Sequence, residues 1–369
     1  LKARDTMKIL ITHPDLQTQG GISNYYDQLQ GKFNMPVQYF VVGKRAAEKG
    51  FFSFISRTFV DYWRFVKCLR NDGIDLVLIN PALELKCFIR DGIFALLARV
   101  NKKKTVVFFR GWRKSFEVCI ESHFLWVFKL LFGKSAAFII LSDEFKKTLE
   151  KWGVAQPIYK EVTIINEDDL IGFDIQNALK ERQNSEKWRI LFLAGVTRRK
   201  GIYETVQAVS LLQTQYPMIE LIIAGDGYEL GNVKSYVKDH NMSGVTFLGR
   251  VRNKDKRRAF ERAHIYCLPS YSEGLPNSVV EAMAFGLPVI TRPVGGLADL
   301  FKNKEYGFIS DSLDPNVFAS LIKRLFVDKN LYNKISLSNY QYAQSHFLAC
   351  DAALRLEKIY KIALEDRKK

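Results

Sequence analysis

Cysteine is scarce and unpatterned in this chain: five residues (Cys68, Cys87, Cys119, Cys267 and Cys350) and no CxxC pair. An odd, scattered set offers no disulfide framework and suits a reducing compartment. Acidic residues fall short of basic ones, 39 against 55, which leaves a net charge of +16. That excess narrows the partners to anions: nucleic acid, a negatively charged membrane surface, or phosphorylated small molecules. Zinc-finger spacing and RNP-like aromatic strings are both missing, so nucleic acid is set aside. No apolar run is long enough to cross a bilayer, and no repeat or low-complexity segment occurs. The opening lacks a signal-peptide pattern, and the six residues before Met7 read as a start-site remnant. With 47% hydrophobic and 25% charged residues the chain is expected to be globular, and its 369 residues suffice for two domains.

What is present is a rhythm. Lys8–Thr12, Val37–Val42, Asp75–Asn80, Thr105–Phe109 and Ala137–Leu141 are short apolar runs rich in Val, Ile and Phe. Helical-length segments separate them, among them Phe54–Arg70, Lys86–Arg99 and Phe116–Phe132. Strands alternating with helices predict an α/β fold with a parallel sheet covered on both faces. The polar stretch 167–187 interrupts the rhythm and reads as an interdomain connection. The alternation then restarts, with strands expected at Arg189–Ala194, Glu220–Ala224, Val245–Leu248, Ala263–Leu268 and Pro288–Thr291. Beyond Asp314 the chain reads as helical, with Phe347, Leu354, Ile359 and Tyr360 recurring on one face. The expected division is residues 1–166, a connection 167–187, a second domain 188–346 and a terminal helix 347–369.

The second half is organised around PSYSEGLPNSVVEAMAFGLPVIT, Pro269 to Thr291. A buried strand ends before it, and a turn-rich loop carries Glu273 and Gly274. Pro276 and Asn277 are helix-start signals. Val279, Val280 and Met283 form the expected inner face, and Gly286 ends the helix. One carboxylate thus lies on the loop and Glu281 on the helix, with backbone N–H groups between them. A helix N-terminus favours anions, and carboxylates accept hydrogen bonds from sugar hydroxyls.

Glu273 and Glu281 have the E-x7-E spacing inside EGLPNSVVEAMAFGLPVI, and this string resembles that of the family-4 retaining glycosyltransferases of GT-B fold. The resemblance is clearest from Arg189 to about Phe308. It implies two Rossmann-like domains facing across a cleft, with the last helix, Ala349–Glu365, crossing back to the first domain. It also implies roles. Glu281 would accept from the ribose hydroxyls, and Glu273 would lie by the donor sugar. Backbone N–H groups of Gly274, Leu275 and Asn277 would contact sugar or phosphate, Val280 standing beside them, whereas Pro276 has no N–H to give. The loop AGVTRRKGIYE resembles the family's basic G-x-x-x-x-K-G loop, and Lys200 aligns with its lysine. Cations there stabilise the charge that develops on a leaving diphosphate. Arg198 and Arg199 are both candidates to assist it. Backbone near Arg250 and Val251 would line the base pocket, and the absence of a carboxylate directly after Val251 favours uracil over guanine.

In the first half, Gly20 and Gly21 precede a helix opening at Ser23 and resemble the family's glycine pair that approaches the donor diphosphate. The G-x-G-x-x-G spacing of a dinucleotide site is missing. Where many members place a histidine after the fourth strand, this chain has Arg110 in FFRGWRKSFE, with Trp112 close by. Arg110 stays protonated and cannot serve as a base. It is therefore an acceptor-side candidate, as are Trp112 and His13.

The resemblance implies a retaining, metal-independent transferase without a cofactor. Its partners would be a nucleotide-sugar, UDP-linked rather than GDP-linked, and a glycan or lipid-linked acceptor. A nucleotide-sugar epimerase and a non-catalytic scaffold of the same fold are the alternatives. Two further stretches, FFSFISRTFVDYWRFVKCLR and WRKSFEVCIESHFLWVFKLLFGK, mix aromatic and basic residues at helical spacing. Either alone suits a helix packed on a sheet. With the net charge they point to an anionic membrane surface, and so to a cytoplasmic protein peripheral on the inner face of the membrane.

Overall fold

A computed structural model describes residues 7–17, 21–43, 45, 51–71, 73–301 and 305–365. The chain forms two compact units, Leu1–Val162 with Ala349–Lys369, and Thr163–Leu348. In the first unit β1 (Ile9–Pro14), β2 (Val37–Val42), β3 (Leu76–Ile79), β5 (Lys104–Phe108), β7 (Ala137–Ile140) and β8 (Ile158–Lys160) form a parallel sheet of order β2-β1-β3-β5-β7-β8. β3 and β7 are buried along their whole length. Near-continuous apolar strands are the mark of a sheet covered on both faces. β4 (Ala82–Leu83) and β6 (Gly111–Trp112) pair beside it as a two-residue ribbon.

Right-handed crossovers decide where the helices lie. α2 (Phe51–Asn71), α3 (Leu85–Val100), α4 (Lys114–Cys119), α5 (Leu125–Phe132) and α6 (Asp143–Lys151) follow connections running one way along the sheet, so they share a face. α1 (Gly21–Leu29) runs the other way and lies opposite. It packs against α15 (Ala349–Glu365), the last helix, which returns to this unit as the resemblance implied. Arg355 of α15 pairs with buried Glu161 at 2.6 Å, and Glu357 accepts from the Asn34 N–H at 2.5 Å. The Lys104 ammonium donates to the carbonyls of Ala363 (2.7 Å) and Leu364 (2.8 Å), a cation closing a helix C-terminus.

Two expectations here need correction. Leu354 is 53% exposed, unlike buried Ile359 and Tyr360 of the same helix, and spacings of five and six residues place it off their face; Phe347, also buried, precedes α15. The expected helix Phe116–Phe132 is broken by a π turn, Ile120–Phe124. The wider turn adds a residue and re-phases the helix. Glu117, bonded to the Trp112 indole N–H at 2.5 Å, and Phe128 and Phe132 beyond the turn can then all face inward.

In the second unit β9 (Trp188–Leu193), β10 (Ile219–Ala224), β11 (Val245–Gly249), β12 (Ile265–Leu268), β13 (Val289–Thr291) and β14 (Gly307–Ile309) form a parallel sheet of order β11-β10-β9-β12-β13-β14. Around it lie α7 (Ile175–Gln183), α8 (Ile202–Gln213), α9 (Leu230–Asp239), α10 (Asn253–Arg262), α11 (Asn277–Ala284), α12 (Gly296–Leu300), α13 (Pro315–Val327) and α14 (Lys329–His346). Residues 167–187 lie inside this unit. Arg182 of α7, buried, donates to the Phe285 carbonyl at the end of α11 (2.9 Å). The two chain passages at the edge of the unit are joined by a parallel bridge between Ile165 and Leu348. Among the described residues no helix is long and apolar enough to cross a membrane.

Candidate functional site

The second sheet has a topological switch point. β9 leads through α8 to β10 on one side, while β12 lies on its other side. The loops leaving β9 and β12 therefore diverge, and the crevice outside such strand ends is where ligands bind in doubly wound sheets. Three loops are drawn together there by two glycines. The β9 loop closes with a 3₁₀ turn, Arg198–Lys200, and ends at Gly201 with φ +75°. A Cβ on Gly201 would stand 2.2 Å from the Pro269 carbonyl oxygen, so no other residue permits this approach. The Tyr271 N–H and the Ser270 hydroxyl then donate to the Arg199 carbonyl at 2.9 and 3.1 Å. Gly295, in the loop after β13, has φ +54° and lies where a Cβ would be 2.1 Å from the Glu273 carbonyl oxygen. Its neighbour Gly296 donates to the Gly274 carbonyl at 2.6 Å.

This stitching sets Lys200 Nζ 2.5 Å from Glu273 Oε1, with the carboxylate side chain only 8% exposed. Among the described residues the N–H groups of Gly274 and Leu275 have no acceptor. α11 starts directly after them, and the Thr163 hydroxyl bonds the Asn277 side chain at its first turn. Val280 is fully buried, its side chain spent on the core. Glu281 is buried too, and its Oε1 accepts from Lys256 of α10 at 3.0 Å, with Asp169 3.5 Å from the same ammonium. Burial pulls the Lys256 amine down, but Glu281 and Asp169 outweigh it and hold it above its ordinary value. The Tyr266 hydroxyl bonds Ser278 Oγ (2.7 Å) and the Leu193 carbonyl (3.0 Å), and its phenol is raised by burial first and then by both carboxylates, Glu273 and Glu281.

Sequence reasoning missed Lys256 and Tyr266. Lys256 sits in the basic run NKDKRR, where nothing marks one lysine as inward-facing. Tyr266 is the one polar-tipped residue of a buried strand, which is a usable signal.

The two candidate arginines separate. Arg199 stays on the Glu273 loop, its guanidinium 3.4 Å from the Ser272 carbonyl. Arg198 turns away to Glu229 (3.1 Å), with its guanidinium 5.1 Å over the Tyr203 ring. Arg250 pairs with Asp226 at 3.2 Å. Val251 lines a cavity of about 370 Å³ between the β10–β11 face and α10. That cavity runs down to Arg189 and Glu220 at the opposite strand ends, away from the switch point.

In the first unit, Arg110 follows β5 and is 9% exposed. Its guanidinium lies 3.7 Å over the Tyr25 ring, and among the described residues its Nε and Nη1 have no hydrogen-bond partner. His13, near the end of β1, is buried between the rings of Tyr26 and Tyr39. Burial lowers its pKa. Trp112 belongs to the core, stacked 4.4 Å from Phe145 with its N–H on Glu117. Gly21 opens α1, while Gly20 lies outside the described residues.

Residues 175–342 match the family described as Glycosyl transferases group 1, and that span holds Lys200, Lys256, Glu273 and Glu281 together. The match makes residues 175–342 of this chain a glycosyl transferases group 1 domain. An uncharacterized glycosyltransferase of Haemophilus influenzae is 30% identical over 200 residues, 54% of either chain. A capsular polysaccharide biosynthesis glycosyltransferase of Staphylococcus aureus, CapM, is 24% identical over 195 residues, 52% of this chain and 51% of that protein. The matched region thus spans about half the length of these curated relatives. Among solved structures, sucrose-phosphate synthase from Thermosynechococcus elongatus covers 96% of this chain and 98% of its own, with a TM-score of 0.75 at 19% identity. HepE of Anabaena, solved with UDP and glucose, covers 96% and 99%, with a TM-score of 0.71 at 16% identity. At such identities the likeness is one of fold, and the fold is GT-B.

Proposed function

We propose that this protein is a retaining glycosyltransferase that moves a sugar from a UDP-sugar to a hydroxyl of a glycan or lipid-linked acceptor in surface polysaccharide assembly. The observation that carries the reading is the Lys200–Glu273 pair at the switch point, next to two N–H groups with no acceptor among the described residues. A diphosphate seated there receives the N–H groups of Gly274 and Leu275 and the cations Lys200 and Arg199. As the ammonium shifts toward phosphate, Glu273 is released to hold a sugar hydroxyl. Glu281, with one oxygen kept by Lys256, offers the other to the ribose. The acceptor oxygen bonds to the anomeric carbon as the carbon–oxygen bond to phosphate breaks, and the acceptor proton passes to a phosphate oxygen. Cations fixed in advance around that phosphate lower the barrier. Arg110 serves as a binding cation on the acceptor side, since it cannot accept a proton. UDP is favoured because HepE, a structure of the same fold, was solved with UDP, and because Asp255, the nearest acid after Val251, turns toward Arg258 at 3.6 Å. Surface polysaccharide is favoured by the role printed for CapM.

Calorimetry with UDP and GDP tests this. UDP is expected to bind, and Lys200→Ala or Glu281→Ala to weaken it by about 1.5–3 kcal/mol, tenfold or more. Selective GDP binding would overturn the base assignment. Binding of UDP with no transfer from any UDP-sugar would favour a scaffold, and a retained anomeric configuration in the product would confirm the reaction class.

A further inference from the structure

Large apolar side chains are exposed unevenly in this protein. Of the twenty well exposed among the described residues, ten lie on α2, α3 and the α4–α5 helix of the first unit. On α2, Phe59 is 70% exposed and Trp63 65%, one turn apart. On α3, Ile89 is 41% exposed. On α5, Trp126 is 67% and Leu130 50% exposed, again one turn apart. The three helices are neighbours, α2 against α3 and α3 against α5, over a shared aromatic core that includes Phe65, Phe94 and Phe128. Exposed apolar side chains thus occur on each of three adjoining helices.

The charges on these helices are sorted by sign. Asp61, Asp91 and Glu117 are buried, and each is consumed inside: Asp61 by Arg45 and Arg57, Asp91 by Arg90, Glu117 by the Trp112 indole and Lys114. The exposed charges are then mainly cations, among them Arg64, Lys67, Arg70, Lys86 and Lys129. Lys67 lies 5.5 Å over the Trp63 ring, so base and aromatic share one patch.

We propose that this three-helix face docks on an anionic lipid bilayer. Tryptophan and phenylalanine enter the headgroup boundary, and the long basic side chains reach lipid phosphates while their stems cover apolar surface. A protein partner fits less well, because lysine is depleted from protein interfaces, whereas a single sign of charge spread among isolated aromatics matches a negative bilayer. The proposal is independent of the transferase reading and can fail without it.

The protein carries its own reporters. Of its five tryptophans, Trp112, Trp152 and Trp188 are buried, and only Trp63 and Trp126 are exposed, both on this face. The full chain would be mixed at low salt with vesicles of phosphatidylcholine, with and without phosphatidylglycerol. Co-sedimentation is expected only with the anionic vesicles, weakening as salt screens the charges. Tryptophan emission should shift to the blue, and brominated lipid should quench it. Trp63→Ser with Trp126→Ser should weaken binding about tenfold or more, and Arg64→Glu with Lys67→Glu should abolish it. An unchanged circular dichroism spectrum and melting temperature in both variants would show that they fold. Failure to sediment with anionic vesicles, or sedimentation that neither variant alters, overturns the proposal. So does a dimer in sedimentation equilibrium that the tryptophan variant dissolves while vesicles have no effect, for then the face pairs two copies.

Discussion

Lys200 and Glu273 neutralise each other in the free protein, so loss of the carboxylate should affect binding and turnover differently. The carboxylate is 8% exposed, so its charge is only weakly screened by water. It competes with the diphosphate for the same ammonium. Glu273→Gln should therefore bind UDP at least as tightly as the parent protein, while losing roughly a hundredfold in transfer because the sugar is no longer held. Calorimetry and a turnover assay read the two effects separately. Weaker UDP binding in the variant would mean that Glu273 holds the loop together rather than opposing the ligand. The pair itself could not be read from sequence. The two residues are 73 positions apart, and their meeting depends on Gly201 accepting a left-handed conformation against the Pro269 carbonyl.

At the level of elements, β12 and its flanks were legible because four buried apolar residues followed by a turn and a helix start form a local pattern. What braces them was not. His264, just before β12, accepts from the Arg189 N–H at 3.1 Å, and its other ring nitrogen faces the Arg182 carbonyl at 3.2 Å. Burial first, then the charge of Arg182, pushes its pKa down to about 3. A histidine depressed in the folded state contributes stability that is present above its unfolded pKa, near 6.5, and is lost as pH falls toward 3. The slope is at most about 1.4 kcal/mol per pH unit for this one proton. Urea titrations between pH 7.5 and 5 should show that loss below about pH 6.5, and His264→Gln should flatten it. An unchanged slope in the variant would assign the acid sensitivity elsewhere. The three-residue edge strands β8 and β14 escaped sequence reading for a simpler reason: three residues carry no usable periodicity.

For the molecule as a whole, the chain leaves the first unit after Val162 and returns at Ala349, so each unit closes its own core while α15 ties the last residues to the first sheet. The residues proposed to hold UDP, Lys200, Gly274, Leu275 and Glu281, all belong to the second unit. At a hundredfold excess over Kd, UDP should stabilise that unit by about 2.7 kcal/mol. Hydrogen exchange is expected to slow in the segments around Lys200 and Glu273 and to stay unchanged in β1, β3 and β5. Equal protection in both units would show that they unfold as one.

By itself the sequence determined the alternation of strand and helix, the two carboxylates flanking a helix start, the basic loop after β9 and the excess of positive charge. Each of these depends on neighbours within about a turn or a strand, where periodicity and propensity act. Only the tertiary structure decided which charges meet. It paired Lys200 with Glu273 across the switch point, set Lys256 on Glu281, and turned Asp61, Asp91 and Glu117 inward while leaving Trp63 and Trp126 outside. Strand order and close backbone approach at glycines are properties of the packed whole, and charge partners follow from them.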